Sequence, residues 1–256
     1  MLETATALLL GHVLADFILQ SGAMVAAKAR ARVMFTHVGV VLLVTWAALG
    51  FALAPWPLLL IGVSHFAADL AKQRYVARLG ARGEPPGFGA FALDQAAHLA
   101  AIWLAASLWP ETWAQGLWAS PALLDHLPTL ALLPEAMAIG AGLIATVWAG
   151  GYAVRELMSG LKLPADPDPD TGLPRGGQLI GRLERLMILM LLLAHQPDGI
   201  GLLIAAKSIL RFNEIGKSED NRRASEYVII GTLGSFAWAI STAYAANALL
   251  AALRAS

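Results

Sequence analysis

Eight long apolar segments restrict what this chain can fold into more than any other feature of its sequence. They lie near residues 4–21, 34–53, 57–73, 90–109, 134–154, 177–195, 198–213 and 225–252. A helix needs about 20 mostly apolar residues to cross the hydrocarbon core of a membrane. In lipid, only helices and closed barrels pair their backbone groups internally, and these segments have the length of helices. The sequence therefore predicts an all-α polytopic membrane protein with eight transmembrane helices in two four-helix halves.

The composition agrees with a membrane protein and excludes several other classes. Only 14% of the 256 residues are charged, whereas a soluble domain carries roughly 25%. Lys and Arg together number 18, as do Asp and Glu, so the net charge gives no reason to expect a nucleic-acid partner. The chain has no cysteine, which excludes disulfides, thiolate zinc ligands and a Cys nucleophile. The partner that the composition predicts is the lipid bilayer.

The placement of Lys and Arg predicts the orientation in the membrane. The connections after the first, third, fifth and seventh segments are basic, for example at Lys28, Lys72, Arg155 and Lys217, and the connections between them carry no Lys or Arg. Cytoplasmic loops are the ones enriched in these residues, so we expect both termini outside. No basic residue precedes the first apolar segment, so we expect a retained span rather than a signal peptide.

The connections also divide the chain into four parts. Residues 1–120 form a four-helix membrane half, and residues 121–161 form an outer loop and the fifth span. Residues 162–177 alternate Asp with Pro and are predicted to be a cytoplasmic linker, because Pro blocks helix formation. Residues 178–256 hold the last three spans.

Ionisable residues stand inside the predicted spans of the first half. Three of these spans carry a His and an Asp four residues apart, and therefore on one helix face: His12 and Asp16, His65 and Asp69, Asp94 and His98. The order is reversed in the fourth span, which runs in the opposite direction. All three pairs therefore place a layer of His roughly 6 Å from a layer of Asp, and His37 of the second span falls near both layers. Because ionisable groups are costly in hydrocarbon, we expect one shared functional site.

Imidazole and carboxylate together are typical ligands of zinc, iron or manganese. The predicted metal ligands are the four histidines of these spans: His12, His37, His65 and His98. The predicted ligands, orienting groups or general bases are the three carboxylates: Asp16, Asp69 and Asp94. A divalent metal such as zinc would lower the pKa of a bound water towards about 7. Two alternatives stay open, since each pair could serve only as a polar packing contact, or the pairs could form a proton or ion pathway.

A second group of charges lies in the last three spans. Its cations are Arg182, Arg185, Lys207 and Arg211, and the nearby carboxylates are Glu184 and Glu226. The excess of two positive charges predicts an anion-binding pocket for the phosphate of a lipid headgroup or a cytoplasmic ligand. Two alternatives again stay open. The side chains could extend to the interface, or they could neutralise the Asp layer across the two halves, which would leave poor metal ligands.

At these residues the chain resembles a bacterial membrane family described as domain of unknown function 3307. The matching stretches are GHVLADFILQ, THVGV, SHFAADLAK and LDQAAHLA in the first 110 residues, and GRLERLMILM, IAAKSILRF and SEYVIIGTLGSF in the second half. The resemblance implies a multi-pass protein of the bacterial inner (plasma) membrane. It implies no activity, because none is established for the family.

These observations lead to one leading functional hypothesis and two alternatives. The leading hypothesis is a metal-dependent hydrolase whose His/Asp site opens to the cytoplasmic face and acts on a phosphorylated or lipidic substrate. The alternatives are an ion- or proton-coupled transporter that uses the same residues as a relay, and a non-catalytic membrane scaffold. The outer half of the spans has few ionisable residues, which favours a site facing the cytoplasm over a transport path.

Overall fold

The computed structural model of the protein describes residues 1–161, 175–212 and 219–255, without the side chains of 209–212, 219–222 and 224. In these ranges the chain is helical and contains no strand. The helices are α1 (Leu2–Leu14), α2 (Gly22–Ala27), α3 (Ala31–Ala48), α4 (Pro55–Ala81), α5 (Gly87–Leu108), α6 (Pro121–His126), α7 (Leu133–Ile144), α8 (Gly150–Met158), α9 (Gly176–Leu193), α10 (Asp198–Phe212) and α11 (Glu219–Ala255). The predicted all-α class is confirmed for the described residues.

Five stretches of the described chain are long and apolar enough to cross a membrane. They are Leu2–Leu19, Ala31–Ala48, Gly87–Leu108, Pro128–Met158 and Ser225–Ala255. The prediction of membrane-spanning helices is therefore confirmed, while the count of eight and the orientation stay predictions.

The predicted end of one helix was wrong. The helix expected near 57–73 continues to Ala81, because Lys72, Arg74 and Arg78 end an apolar segment without ending a helix. Helix α9 begins at Gly176, within the last two residues of the predicted linker 162–177. Residues 162–174 of that linker, and Lys217, lie outside the described residues.

Two short π-helical turns interrupt the spans. One, Ala15–Leu19, continues α1, and the other, Ala145–Ala149, joins α7 to α8. A π turn widens the helix and disturbs the regular backbone ladder. In the second turn, a side chain donates to a backbone carbonyl group: the indole N–H of Trp238 donates to the Ala145 carbonyl at 2.9 Å. The first turn contains Asp16, so it places a carboxylate at an irregular point of the backbone.

Helix α1 lies in the middle of the bundle, where it packs against α3, α5 and α7. Helix α4 packs against α3 and α5, and α11 packs against α7, α8 and α9. Close packing of α1 on α3 requires Gly11, because a Cβ there would lie 2.7 Å from the Thr45 hydroxyl oxygen. The first four predicted spans therefore surround one buried volume, into which their polar faces point.

Candidate functional site

Seven ionisable side chains meet inside the first half of the bundle. Their members are His12, Asp16, His37, His65, Asp69, Asp94 and His98, and we call this group the His/Asp cluster. They come from α1 with its π turn, α3, α4 and α5. Each of the seven side chains is no more than 9% exposed. The structure thus brings together the three His/Asp pairs and the single His of α3.

The shortest distances between side chains of the cluster join three atoms from three helices. His37 Nε2 lies 3.0 Å from His65 Nε2. Asp16 Oδ1 lies 3.2 Å from the His37 nitrogen and 3.4 Å from the His65 nitrogen. Two ligands of a tetrahedral zinc, each at 2.0–2.1 Å from the ion, are about 3.3–3.4 Å apart. These three atoms, which we call the inner triangle, therefore have about the spacing of three ligands of one metal.

Hydrogen bonding within the inner triangle leaves groups unsatisfied. Asp16 Oδ1 is buried and has no hydrogen bond of acceptable geometry. The amide nitrogen of Gln20 also approaches His37 Nε2, at 3.1 Å. Each ring nitrogen of a neutral imidazole is either a donor or an acceptor. His37 Nε2 therefore cannot donate to His65 Nε2 and also accept from the Gln20 amide. A cation bound between the three atoms would interact with the nitrogen and oxygen lone pairs that have no hydrogen-bond donor in the cluster.

Asp69 forms a second triangle on the same pair of histidines. Its Oδ2 lies 3.6 Å from His37 Nε2 and 3.5 Å from His65 Nε2. The same oxygen is 2.7 Å from Nζ of Lys28, which follows α2 and is only 6% exposed. Asp69 thus already has a cationic partner, whereas Asp16 is surrounded by imidazoles.

Asp94 belongs to a hydrogen-bonded layer next to the triangles. Lys72 Nζ lies 2.7 Å from Asp94 Oδ2, and the Gln95 amide donates to the same oxygen at 3.1 Å. The Gln95 carbonyl oxygen lies 3.2 Å from His12 Nε2, and His98 Nδ1 lies 2.7 Å from the backbone carbonyl of Asp94. These contacts hold His12 and His98 by one nitrogen each, which fixes the orientation of their rings.

The four imidazoles of the cluster form a continuous row. The ring centres of His12 and His98 are 4.9 Å apart, those of His98 and His65 are 4.2 Å apart, and those of His65 and His37 are 5.1 Å apart. Among the four predicted ligands, the ring nitrogens of His37 and His65 lie nearest to each other and to Asp16. His12 with Asp16 and His65, and His98 with Asp69 and Asp94, also have possible ligand atoms within 4.8 Å of one another.

The charges of the cluster do not balance. Lys28 partners Asp69 and Lys72 partners Asp94. Among the residues that the structure describes, Asp16 has no Lys or Arg within 4.0 Å and has only histidines as partners. With neutral imidazoles, the cluster therefore carries one uncompensated negative charge in a buried site. A bound metal cation or a proton on one imidazole would compensate it.

The basic residues of the second half have other partners. Arg185 donates from Nε and Nη2 to the Val147 carbonyl of the second π turn, at 3.2 and 3.0 Å, and from Nη1 to the Ser235 hydroxyl at 3.0 Å. Lys207 lies 2.7 Å from Glu184. Arg182 is exposed, and the side chain of Arg211 lies outside the described residues.

The described side chains of this basic group therefore do not neutralise the Asp layer. The cations that reach Asp69 and Asp94 are Lys28 and Lys72, from the same half of the chain. Arg185 and Lys207 find a carbonyl group and a glutamate instead. The two charged groups are separate sites.

Four polar residues that contact the His/Asp cluster were not predicted as site residues: Lys28, Lys72, Gln20 and Gln95. In the sequence, Lys28 and Lys72 served only as markers of orientation. A count of charges was the available signal, because three buried carboxylates require buried cations. The Lys72 to Asp94 contact could not be chosen over the nearer Asp69 of the same helix without knowing how α4 and α5 pack.

Comparison with known proteins identifies a family that matches the first part of the chain. Residues 4–123 match the family described as Protein of unknown function (DUF3307). The resemblance seen in the first half of the sequence is confirmed over these residues. The matched residues include the whole His/Asp cluster together with Lys28 and Lys72. Among curated proteins and solved structures, none matches the chain.

Proposed function

We propose that this protein is a metal-dependent hydrolase of the bacterial inner (plasma) membrane, with its His/Asp cluster open to the cytoplasmic face. The observation that carries the proposal is the inner triangle, in which two imidazole nitrogens and a carboxylate oxygen lie 3.0–3.4 Å apart. His37, His65 and Asp16 would hold the metal. Three protein ligands and one open position are the arrangement of catalytic zinc sites.

The residues around the triangle then take defined roles. The metal would lower the pKa of a water in the open position and so supply the nucleophile. Asp69, held by Lys28 at 2.7 Å, would accept a proton from this water. Asp69 would then return this proton to the leaving oxygen, as the water oxygen bonds to the electrophilic atom of the ester and the bond to the leaving oxygen breaks. His12 and His98 would orient the neighbouring groups.

The membrane arrangement forms part of the proposal. All eight apolar segments predicted from the sequence coincide with helices, and we infer eight spans with both termini outside. Of the three segments beyond the five strongest candidates, those in α4 and α9 carry charged residues that lower their apolar character, and α10 has only 15 residues. The basic connections support the cytoplasmic placement of the cluster.

Hydrolysis of chromogenic esters tests the activity. Purified protein in detergent is treated with a chelator, resupplied with Zn²⁺ or Mn²⁺, and assayed on p-nitrophenyl phosphate and p-nitrophenyl butyrate. We expect release of p-nitrophenol from one of them only with metal, and loss of that release in His65→Ala. The matched control is His126→Ala, since His126 is exposed and far along the chain from the cluster. Equal rates in the two variants would reject the proposal.

The row of imidazoles favours a second function, a proton pathway. Ring centres 4.2–5.1 Å apart and the 3.0 Å contact between His37 and His65 are suited to passing a proton along the row. His98→Gln distinguishes the two functions, because it breaks the row but leaves the inner triangle intact. A relay predicts that this variant abolishes proton flux into liposomes, whereas the hydrolase retains its metal.

A further inference from the structure

A cavity of about 920 Å³ lies beside the His/Asp cluster, on the side of the second half. The end of the first span forms one wall, with Phe17, Ile18 and Gln20, and residues of α8, α9 and α11 form the others. Arg155, Arg182, Arg185 and Lys207 all line it. A space of this size is in the range of sites for small molecules, roughly 300–1,000 Å³.

Arg185 brings a buried positive charge to the cavity. The residue is 4% exposed, and three of its five N–H groups are held by the Val147 carbonyl and the Ser235 hydroxyl. In the part of the chain that the structure describes, no carboxylate lies within 4.0 Å of it. The guanidinium is therefore positioned by neutral acceptors, and two N–H groups remain for a further acceptor.

Glycines make room for this side chain. A Cβ on Gly150 would lie 2.7 Å from Arg185 Cδ, and a Cβ on Gly181 would lie 3.2 Å from Nη1. A Cβ on Gly151 would lie 3.4 Å from Nη2. The three glycines on α8 and α9 thus leave the space that the guanidinium of Arg185 occupies. This close packing fixes the orientation of the buried charge.

The other cations of the cavity are partly compensated. Lys207 pairs with Glu184 at 2.7 Å. Arg155 lies over the ring of Tyr152, 4.5 Å from its centre, and its Nε lies 3.9 Å from Glu156 Oε1. Arg182, one turn before Arg185 on α9, is exposed and lines the same space. Among the described side chains, Arg182 and Arg185 therefore supply the excess positive charge.

Apolar residues form part of the remaining lining, beside polar ones such as Gln178 and Thr232. Phe17, Trp148 and Met158 face the cavity. Ile18 and Ile180, at its edge, are 41% and 52% exposed on the outer surface of the helices. For a protein embedded in lipid, this edge borders hydrocarbon, so a molecule with acyl chains could enter from the side. A pair of arginines beside an apolar opening fits an anionic headgroup with a hydrocarbon tail.

Gln20 connects this cavity to the candidate metal centre. Its side chain lines the cavity, and its amide nitrogen is 3.1 Å from His37 Nε2 of the inner triangle. A headgroup held by Arg182 and Arg185 would therefore extend past Gln20 towards His37. Among the described residues, no other polar partner of His37 lines the cavity.

We propose that the cavity binds the phosphate group of a membrane amphiphile through Arg182 and Arg185, and that this amphiphile is the substrate of the adjoining centre. The substrate role rests on the proposed hydrolase function, whereas the phosphate site stands on the cavity and its charges. Arginine is suited to this role because its planar fork binds phosphate oxygens through two N–H groups.

Equilibrium binding to purified, chelator-treated protein tests the phosphate site. The probes are dioctanoyl phosphatidic acid, dioctanoylglycerol as the same lipid without phosphate, and inorganic phosphate as the anion without tails. The variants are Arg182→Gln, which changes an exposed side chain, and Arg185→Lys, which keeps the buried charge. The matched control is Arg78→Gln, an exposed arginine of α4 outside the cavity lining.

We expect saturable binding of phosphatidic acid, weaker binding of the two other probes, and affinity about tenfold lower in Arg182→Gln, the loss of one charge-assisted contact. Arg78→Gln should bind as the wild type. Equal affinity in Arg182→Gln and Arg78→Gln would overturn the site, and inorganic phosphate binding as tightly as phosphatidic acid would overturn the amphiphile as its ligand.

The same protein separates this inference from the hydrolase. Because the probes bind without metal, absent lipid binding together with zinc bound at His65 overturns the phosphate site and leaves the hydrolase. Lipid binding without a zinc site that depends on His65 supports the phosphate site and overturns the substrate role.

Discussion

Replacement of Lys28 by Met should destabilise the protein strongly. The Lys28 and Asp69 side chains are 7% and 3% exposed and their charged atoms are 2.7 Å apart. Removal of one partner leaves an uncompensated buried charge, which typically costs about 3–5 kcal/mol. Lys72→Met removes the corresponding partner of Asp94, but the Lys72 side chain is 31% exposed, so water can replace part of the interaction. We expect its loss to fall between about 1 kcal/mol, the upper value for exposed pairs, and the buried range.

The free energy of unfolding in mixed detergent micelles, from SDS titration, measures these losses. The double variant Lys28→Met with Asp69→Asn should recover part of the loss, because neither charge is then left alone. Lys28→Met with Asp94→Asn is the matched control, and its two losses should add. Two results would show that Lys28 does not compensate the buried charge of Asp69. One is that the losses of Lys28→Met and Asp69→Asn also add, and the other is that Lys28→Met leaves the stability unchanged.

Two further predictions concern the second half and the topology. Gly150→Leu should lower the free energy of unfolding by about 1–3 kcal/mol, since any side chain there meets Arg185 at 2.7 Å; Gly151→Ala, with its nearest contact at 3.4 Å, should change it little, and equal effects would contradict the account of the Arg185 pocket. Reporter fusions after residue 120 should be exported and fusions within 162–175 should stay cytoplasmic, and the opposite result at both places would invert the proposed orientation.

Helix direction made the convergence of the three His/Asp pairs predictable. The four-residue spacing fixes one face of each helix, and the reversed order of Asp94 and His98 matches the reversed direction of their span. Both follow from helix geometry alone. What spacing does not give is the rotation of each helix about its axis. This rotation decides that the ring of His37 lies nearer to His65 than the ring of His12 does, with centres 5.1 and 6.0 Å away.

The partners of the charges could not be predicted in the same way. Lys28 belongs to the connection after the first span, where the sequence indicates only a cytoplasmic loop, and its burial depends on how α2 lies against α3. Arg185 finds its acceptor in the Val147 carbonyl, within a π-helical turn. Such a turn has no residue signature in the apolar segment that contains it, so the sequence could not indicate which acceptor positions Arg185.

The metal content of the purified protein tests the central claim most directly. The account predicts close to one equivalent of zinc, iron or manganese per chain by elemental analysis, after loading and removal of free metal. His65→Ala removes one corner of the inner triangle and should lose this metal, whereas His126→Ala should retain it. Wild-type protein that holds no more metal than His65→Ala would contradict the metal centre, and a proton on the imidazole row would then be the better account of the charge on Asp16.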